Sequence, residues 1–154
     1  MAKVLGSGRS GARNWTGTLQ FMAVEVLRGA DHTFRHDLES FLYVLLWMCA
    51  RQSRHNGFPT QDEKAPRASC LHRWEVGSLN ELAANKVGRM TVGGLGDIMS
   101  EFPASLNGVK SLCLKLRSFL FGDTADLILG TPAGDPTRLY ASILAAYDDI
   151  INTL

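Results

Sequence analysis

HDLESFLYVLLWMCAR, residues 36–51, is the stretch on which the fold turns. Every residue from 41 to 50 is apolar. A helix that faces water on one side needs a polar stripe, and this run has none, so it is expected to be enclosed by other elements. The run is too short to cross a bilayer, which takes roughly 20 apolar residues. Leu, Met, Ala and Glu favour a helix, although Phe41, Tyr43, Val44 and Trp47 would also suit a buried strand. Asp37 stands at the front, where a carboxylate can accept from free backbone N–H groups and meet the positive end of the helix dipole. The reading is a central buried helix about which the rest of the chain packs.

Outward from that helix, the totals describe one ordinary domain of 154 residues. At 45% hydrophobic and 20% charged, the chain is too apolar to be disordered. With 16 Lys+Arg against 15 Asp+Glu, the net charge is +1. That leaves no electrostatic footprint for nucleic acid or an anionic membrane, so neither is expected as a partner. Cys49, Cys70 and Cys113 are odd in number and far apart. They read as free thiols, at least two of them buried, in a reducing intracellular setting. No apolar stretch near the N-terminus marks a secretion signal.

Residues 1–20 are rich in Gly, Ser and basic side chains and read as a loop. Residues 21–27, FMAVEVL, suit a short helical turn that Gly29 ends. After the central helix, residues 52–69 make a connection longer than most in a compact domain, expected to be exposed or functional. Ser78 and Glu81 then match a capping box, and the helix they open should run to about Met90. Gly93, Gly94 and Gly96 are read as a break, with a short helix following over residues 97–102. Pro103 suits a helix start. Leu106, Val109, Leu112, Cys113, Leu116, Phe119 and Leu120 fall on one face at helical spacing, with Lys110, Lys115 and Arg117 opposite. Residues 130–134 read as a turn, and Asp135-Pro136 as a cap followed by the first helical position. Leu139, Ile143, Tyr147, Ile150, Ile151 and Leu154 then form an apolar stripe. Four or five helices and no alternating strand place the chain in the mainly α class.

Few residues group into chemistry. Gly6, Gly8 and Gly11 fit G-x-G-x-x-G, but Asn14, Thr16 and Gly17 follow in place of the helix that a phosphate-binding loop needs. His32 and His36 would share a helix face, yet they lack the glutamate of H-E-x-x-H, and Cys70 and His72 have no second pair at finger spacing. No metal site is therefore expected. No nucleophile elbow and no paired carboxylates stand out. Trp15, Trp47 and Trp74 read as packing, as do Met22, Met48, Met90 and Met99.

Two blocks carry a resemblance. TGTLQFMAVE, residues 16–25, is followed by HDLESFLYVLLW, residues 36–47. Together and at this spacing they resemble protein kinases, and most closely the fungal-type protein kinase family, whose members carry similar TGT-x-x-FM-x-x-E and HDLESF-x-YVLLW blocks. The resemblance implies a fold and roles. The chain would be the helical C-terminal (large) lobe of a kinase-like fold, with the N-terminal lobe and catalytic loop absent. Residues 1–20 would be an activation-segment-like loop and residues 21–154 the partial lobe. Gly17 and Thr18 would begin the peptide-substrate loop, and Ser7, Ser10 and Thr16, where active kinases are phosphorylated in the activation loop, would be ordinary hydroxyls of the activation-segment-like loop. Ala23-Val24-Glu25 resembles the A-P-E triplet, with valine in place of proline. Its glutamate would pair with a late-helix arginine, Arg138 first and Arg117 second. Asp37 resembles the aspartate that opens the large lobe's central helix.

The family transfers phosphate from ATP to Ser/Thr of proteins. The 154 residues hold no H-R-D catalytic loop and no metal-binding D-F-G-type triplet. The resemblance thus implies ATP and Mg²⁺ only for a full-length relative, no cofactor for this chain, and no activity by itself. A fragment, a truncated product and a degenerate pseudokinase all fit. Two other readings stand beside it. One is a self-standing, non-catalytic helical module that binds a protein through the late-helix grooves or residues 52–69. The other is a small nucleotide-binding protein using Gly6, Gly8 and Gly11.

Overall fold

The computed structural model describes residues 19–53 and 69–153. Among these residues the chain is mainly helical and contains no strand. A 3-10 turn, Leu19–Phe21, leads into α1 (Val24–Leu27), and the long α2 (Phe34–Arg51) follows. A second 3-10 turn, Cys70–Trp74, precedes α3 (Leu79–Arg89) and α4 (Val92–Met99). A third, Ala104–Leu106, precedes α5 (Val109–Phe121), and α6 (Thr137–Thr153) closes the described chain. None of these helices is long and apolar enough to cross a membrane.

α2 lies at the centre, touched by α4, α5 and the first 3-10 turn, while α6 packs on α5 and α1 packs on α3. Its Leu42, Tyr43, Leu46 and Ala50 are completely buried. The Tyr43 ring meets Trp74 edge-on at 5.0 Å, and Phe21 meets Trp47 at 6.0 Å. The expectation that the apolar run is enclosed all round is corrected: Phe41 is 60% exposed and Met48 36%. They lie seven residues apart, on one stripe of the helix, with Val44 and Leu45 half-buried between them. The neighbours cover the remaining faces.

The start of α2 also differs from the expectation. The N-cap is Thr33, not Asp37. The Thr33 N–H donates to the ring Nδ1 of His36 at 3.0 Å, the returning half of a capping box with histidine in place of glutamate. Asp37 lies in the first turn, exposed, against His32 Nε2 at 2.5 Å. It still faces the positive end of the helix dipole.

Local signals hold elsewhere. The Ser78–Glu81 capping box forms, with Glu81 N–H to Ser78 Oγ at 3.2 Å and Ser78 N–H to Glu81 Oε1 at 3.0 Å. Asp135 Oδ1 accepts from the Thr137 N–H at 2.9 Å ahead of α6. Leu139, Ile143, Tyr147 and Ile150 of α6 face the core, but Ile151 is exposed. Leu154 lies outside the described residues. On α5, Phe119 is exposed and Phe121 buried in its stead. Arg117, expected on the outer side, turns inward and donates to the carbonyls of Met90 at 2.7 Å and Gly122 at 3.1 Å. The three cysteines are free. Burial pushes the thiols of Cys49 and Cys113 up to about 11 and about 12.

The glycines read as a break lie inside α4, and no helix occupies residues 97–102 as a unit. Thr91 caps this helix, accepting from the Gly94 N–H at 3.0 Å. Gly94 is needed because α3 ends against it. A Cβ there would sit 2.3 Å from the Gly88 carbonyl oxygen and 2.7 Å from Arg89 Cα. Gly93 and Gly96 have open space around them.

These three positions predict opposite signs within one helix. Gly94→Ala should lower the unfolding free energy by about 1–3 kcal/mol through overpacking. Gly93→Ala and Gly96→Ala should each raise it by about 0.4–1 kcal/mol, because glycine loses more freedom on folding. Urea unfolding of the three variants checks this. In the same assay Leu46→Ala should cost about 2–5 kcal/mol, whereas Phe41→Ala should stay within about 0.5 kcal/mol as a surface change.

Candidate functional site

The described residues of the two resembling blocks meet at one buried junction. α1 is a single turn and cannot hold its place alone. Its first amide does so: the Val24 N–H donates to Glu39 Oε2 at 2.8 Å. Glu39 is completely buried. The Tyr43 hydroxyl donates to the same carboxylate at 2.5 Å, and Arg35 Nη1 donates to its other oxygen. Arg35, Glu39 and Tyr43 stand four residues apart, on one face of α2. Arg35 Nη2 continues to the carbonyls of Leu120 at 2.7 Å and Ile128 at 2.8 Å, and the guanidinium lies 5.0 Å from the centre of the Phe121 ring. Burial, and then the neighbouring Glu39 charge, push the Tyr43 hydroxyl well above its ordinary range.

A second link lies beside the first. Glu25 Oε1 is 2.9 Å from His36 Nε2, with the histidine buried and the glutamate a third exposed. Thr33 Oγ1 meets Thr131 Oγ1 at 2.5 Å on the far side of that histidine. The expected partners of Glu25 are elsewhere. Arg117 is engaged with main chain, and Arg138 lines an open cleft of about 570 Å³ together with Phe34, Phe119, Pro132, Pro136 and Leu139. His36, in the first turn of α2, takes the place expected for an arginine. Asp37 stays outside this junction.

A third link is Lys86 of α3, completely buried. Its Nζ donates to the carbonyls of Leu19 at 2.9 Å and Met22 at 2.6 Å. The rings of Tyr43 and Trp74 flank it at 4.8 and 5.4 Å. Desolvation lowers its pKa to about 7, partly opposed by the Glu39 charge.

Chemically, the junction anchors main chain. The Glu39 carboxylate accepts from Arg35, Tyr43 and the Val24 N–H. Among the described residues no three His, Cys, Asp or Glu side chains gather as a metal site. His32 and His36 each hold a carboxylate instead. Gly17, Thr18, Ser7, Ser10, Thr16, Trp15 and the glycines at 6, 8 and 11 lie outside the described residues, as does most of the 52–69 connection. Sequence reading missed Arg35, Glu39 and Lys86. The first two carried a signal, since charged residues four apart on an apolar helix ask for each other. Lys86 carried only its register with Leu82 and Ala83.

Glu39→Gln should therefore destabilise the chain by about 3–5 kcal/mol, because Arg35 is left buried without its counter-charge. Glu25→Gln, at a partly exposed pair, should cost at most about 1 kcal/mol. Thermal unfolding of both variants, side by side, checks the contrast.

No curated protein and no solved structure matches the chain. The matched family therefore rests on sequence over the segment that holds both blocks and ends near the close of α2. Over residues 1–49, about a third of its length, the chain matches the family model of the fungal protein kinase.

Proposed function

We propose that this chain is a partial protein kinase-like domain, the helical large lobe from the activation segment onward, without catalytic activity by itself. The observation that supports the reading is the interlock of the two matched blocks: Val24 N–H on Glu39 and Glu25 on His36. In this reading α2 is the lobe's organising helix. Gly17 and Thr18 open the peptide-substrate loop, and residues 19–25 are its anchored continuation. Glu25 stands in the A-P-E position, tied to α2 through His36, and Asp37 stands at the front of the central helix. Glu25 is paired with His36 in place of Arg138.

Family members would move the terminal phosphoryl group of ATP to a protein Ser/Thr. That transfer rests on metal and lysine clamps plus a positioned base. The 154 residues hold neither an H-R-D nor a D-F-G triplet, so the groups that would bind Mg²⁺ and orient the hydroxyl are not among them. A protein substrate or partner is the expected ligand class.

One observation favours a second reading, a non-catalytic module that binds a protein. The exposed Phe41–Met48 stripe and the cleft beside Arg138 leave apolar surface uncovered.

Calorimetric titration with ATP–Mg²⁺, and a radiolabelled transfer assay on mixed Ser/Thr peptides, separate activity from inheritance. The expected outcome is no micromolar affinity and no incorporation. Micromolar affinity or incorporation would overturn the inactive reading. The DNA directly before the Met1 codon adds a second arm: an in-frame run encoding H-R-D and D-F-D would make these residues part of a working enzyme.

A further inference from the structure

The cleft beside Arg138 lies where the start of α2, the end of α5 and the start of α6 come together. Phe34, Phe119, Leu139 and two prolines, Pro132 and Pro136, give it apolar walls. Phe34 packs on Tyr140 with ring centres 5.7 Å apart, yet Phe119 and Tyr140 stay 41% and 39% exposed. The proline rings lock their own backbone angles, so this wall is stiff. Its volume, about 570 Å³, falls within the roughly 300–1,000 Å³ of sites that take a ligand.

Three polar side chains reach the cleft, and two of them are occupied. Ser142 Oγ donates to the Arg138 carbonyl at 3.0 Å. Asp135 Oδ1 accepts from the Thr137 N–H at 2.9 Å and from its hydroxyl at 2.7 Å. Arg138 is exposed, and its guanidinium has no hydrogen bond or ion pair among the described residues. The positive end of the α6 dipole adds potential of the same sign. Apolar walls thus stand beside one uncommitted cation. A guanidinium pairs best with a carboxylate, which takes two of its N–H groups at once. The complement of this surface is a large apolar side chain with a carboxylate close by.

We infer that this cleft docks a partner protein through a segment in which an aromatic or large aliphatic side chain stands next to an Asp or Glu. The apolar side chain fills the space between Phe34, Phe119 and Leu139, and the carboxylate meets Arg138. The inference rests on the reading of the chain as a protein-binding module and adds the chemistry of the partner. A second copy of the chain is a poorer occupant. Its nearest match is the exposed Phe41, one turn from Asp37, and that carboxylate is already held by His32 at 2.5 Å.

A random dodecapeptide phage library, selected against the full chain, tests this. Enriched peptides should share an aromatic, Leu, Ile or Met side chain beside an acid. A synthetic peptide from that pool should bind about tenfold more weakly to Arg138→Glu and to Phe119→Ala, both at exposed positions where the fold tolerates change. The same peptide with Lys in place of its acid should prefer Arg138→Glu to the unaltered chain. Enrichment of peptides without an acid, or binding unchanged in both variants, overturns the cleft. If that binding is lost instead in Phe41→Ser, the protein-binding reading stands and the cleft assignment alone falls. No enrichment at all overturns both. Light scattering adds the remaining occupant: a dimer that Arg138→Glu dissociates would put a second copy in the cleft and overturn the foreign partner.

Discussion

A carboxylate with no access to water must find its charge and its hydrogen bonds within the fold, and Glu39 is that carboxylate here. Arg35 supplies the charge from one turn earlier on α2, and Tyr43 supplies a hydroxyl from one turn later. The remaining acceptor capacity is filled by the first amide of α1. Arg35 in turn has donors left over, and these reach the carbonyls of Leu120 near the end of α5 and of Ile128 in the loop that follows. One buried pair thereby sets where four separate parts of the chain meet. Such a pair adds little net stability over apolar side chains, but its geometry admits few alternatives.

That constraint explains why so short a helix as α1 keeps a defined position. Its four residues bury Val24 and Leu27 against Leu82 and Ala83 of α3, a cluster too small to orient it. The Glu39 acceptor and the His36 ring fix its direction. The same arrangement brings together two sequence blocks that are separated along the chain, and both lie in the segment matched by the fungal protein kinase model. An anchoring role for these residues follows from their contacts. Lys86 differs from the other links, because its bonds run to main-chain carbonyls and two ring faces flank its amine.

α2 also shows what an unbroken apolar run does and does not imply. The helix is central, yet it has one uncovered stripe, since nothing in the composition of a helix states how many neighbours it will have. Leu42 and Leu46 are completely buried, while Phe41 and Met48 are exposed. The stripe is a property of the assembly of helices, and residues identical in polarity end in opposite environments. The same applies to α6, where Ile150 is covered and Ile151 is not.

The chain's own order of residues determined whatever is settled within a few positions. The Ser78–Glu81 box and the Asp135 cap were legible because their partners are sequence neighbours, and the helical class because spacing repeats along the chain; on α5 the repeat gave Leu112, Cys113, Leu116 and Leu120 but misplaced Arg117 and Phe119. The Arg35–Glu39–Tyr43 face was legible in principle, by spacing alone. Only the tertiary structure decided the rest. Gly94 reads as a break until the end of α3 is seen lying where its side chain would be. Arg117 reads as a surface cation until two carbonyls appear opposite it. Glu25 takes a histidine from α2 where arginines from later helices were expected. In each case the deciding atom lies on another element, and local propensity carries no information about what stands across a gap.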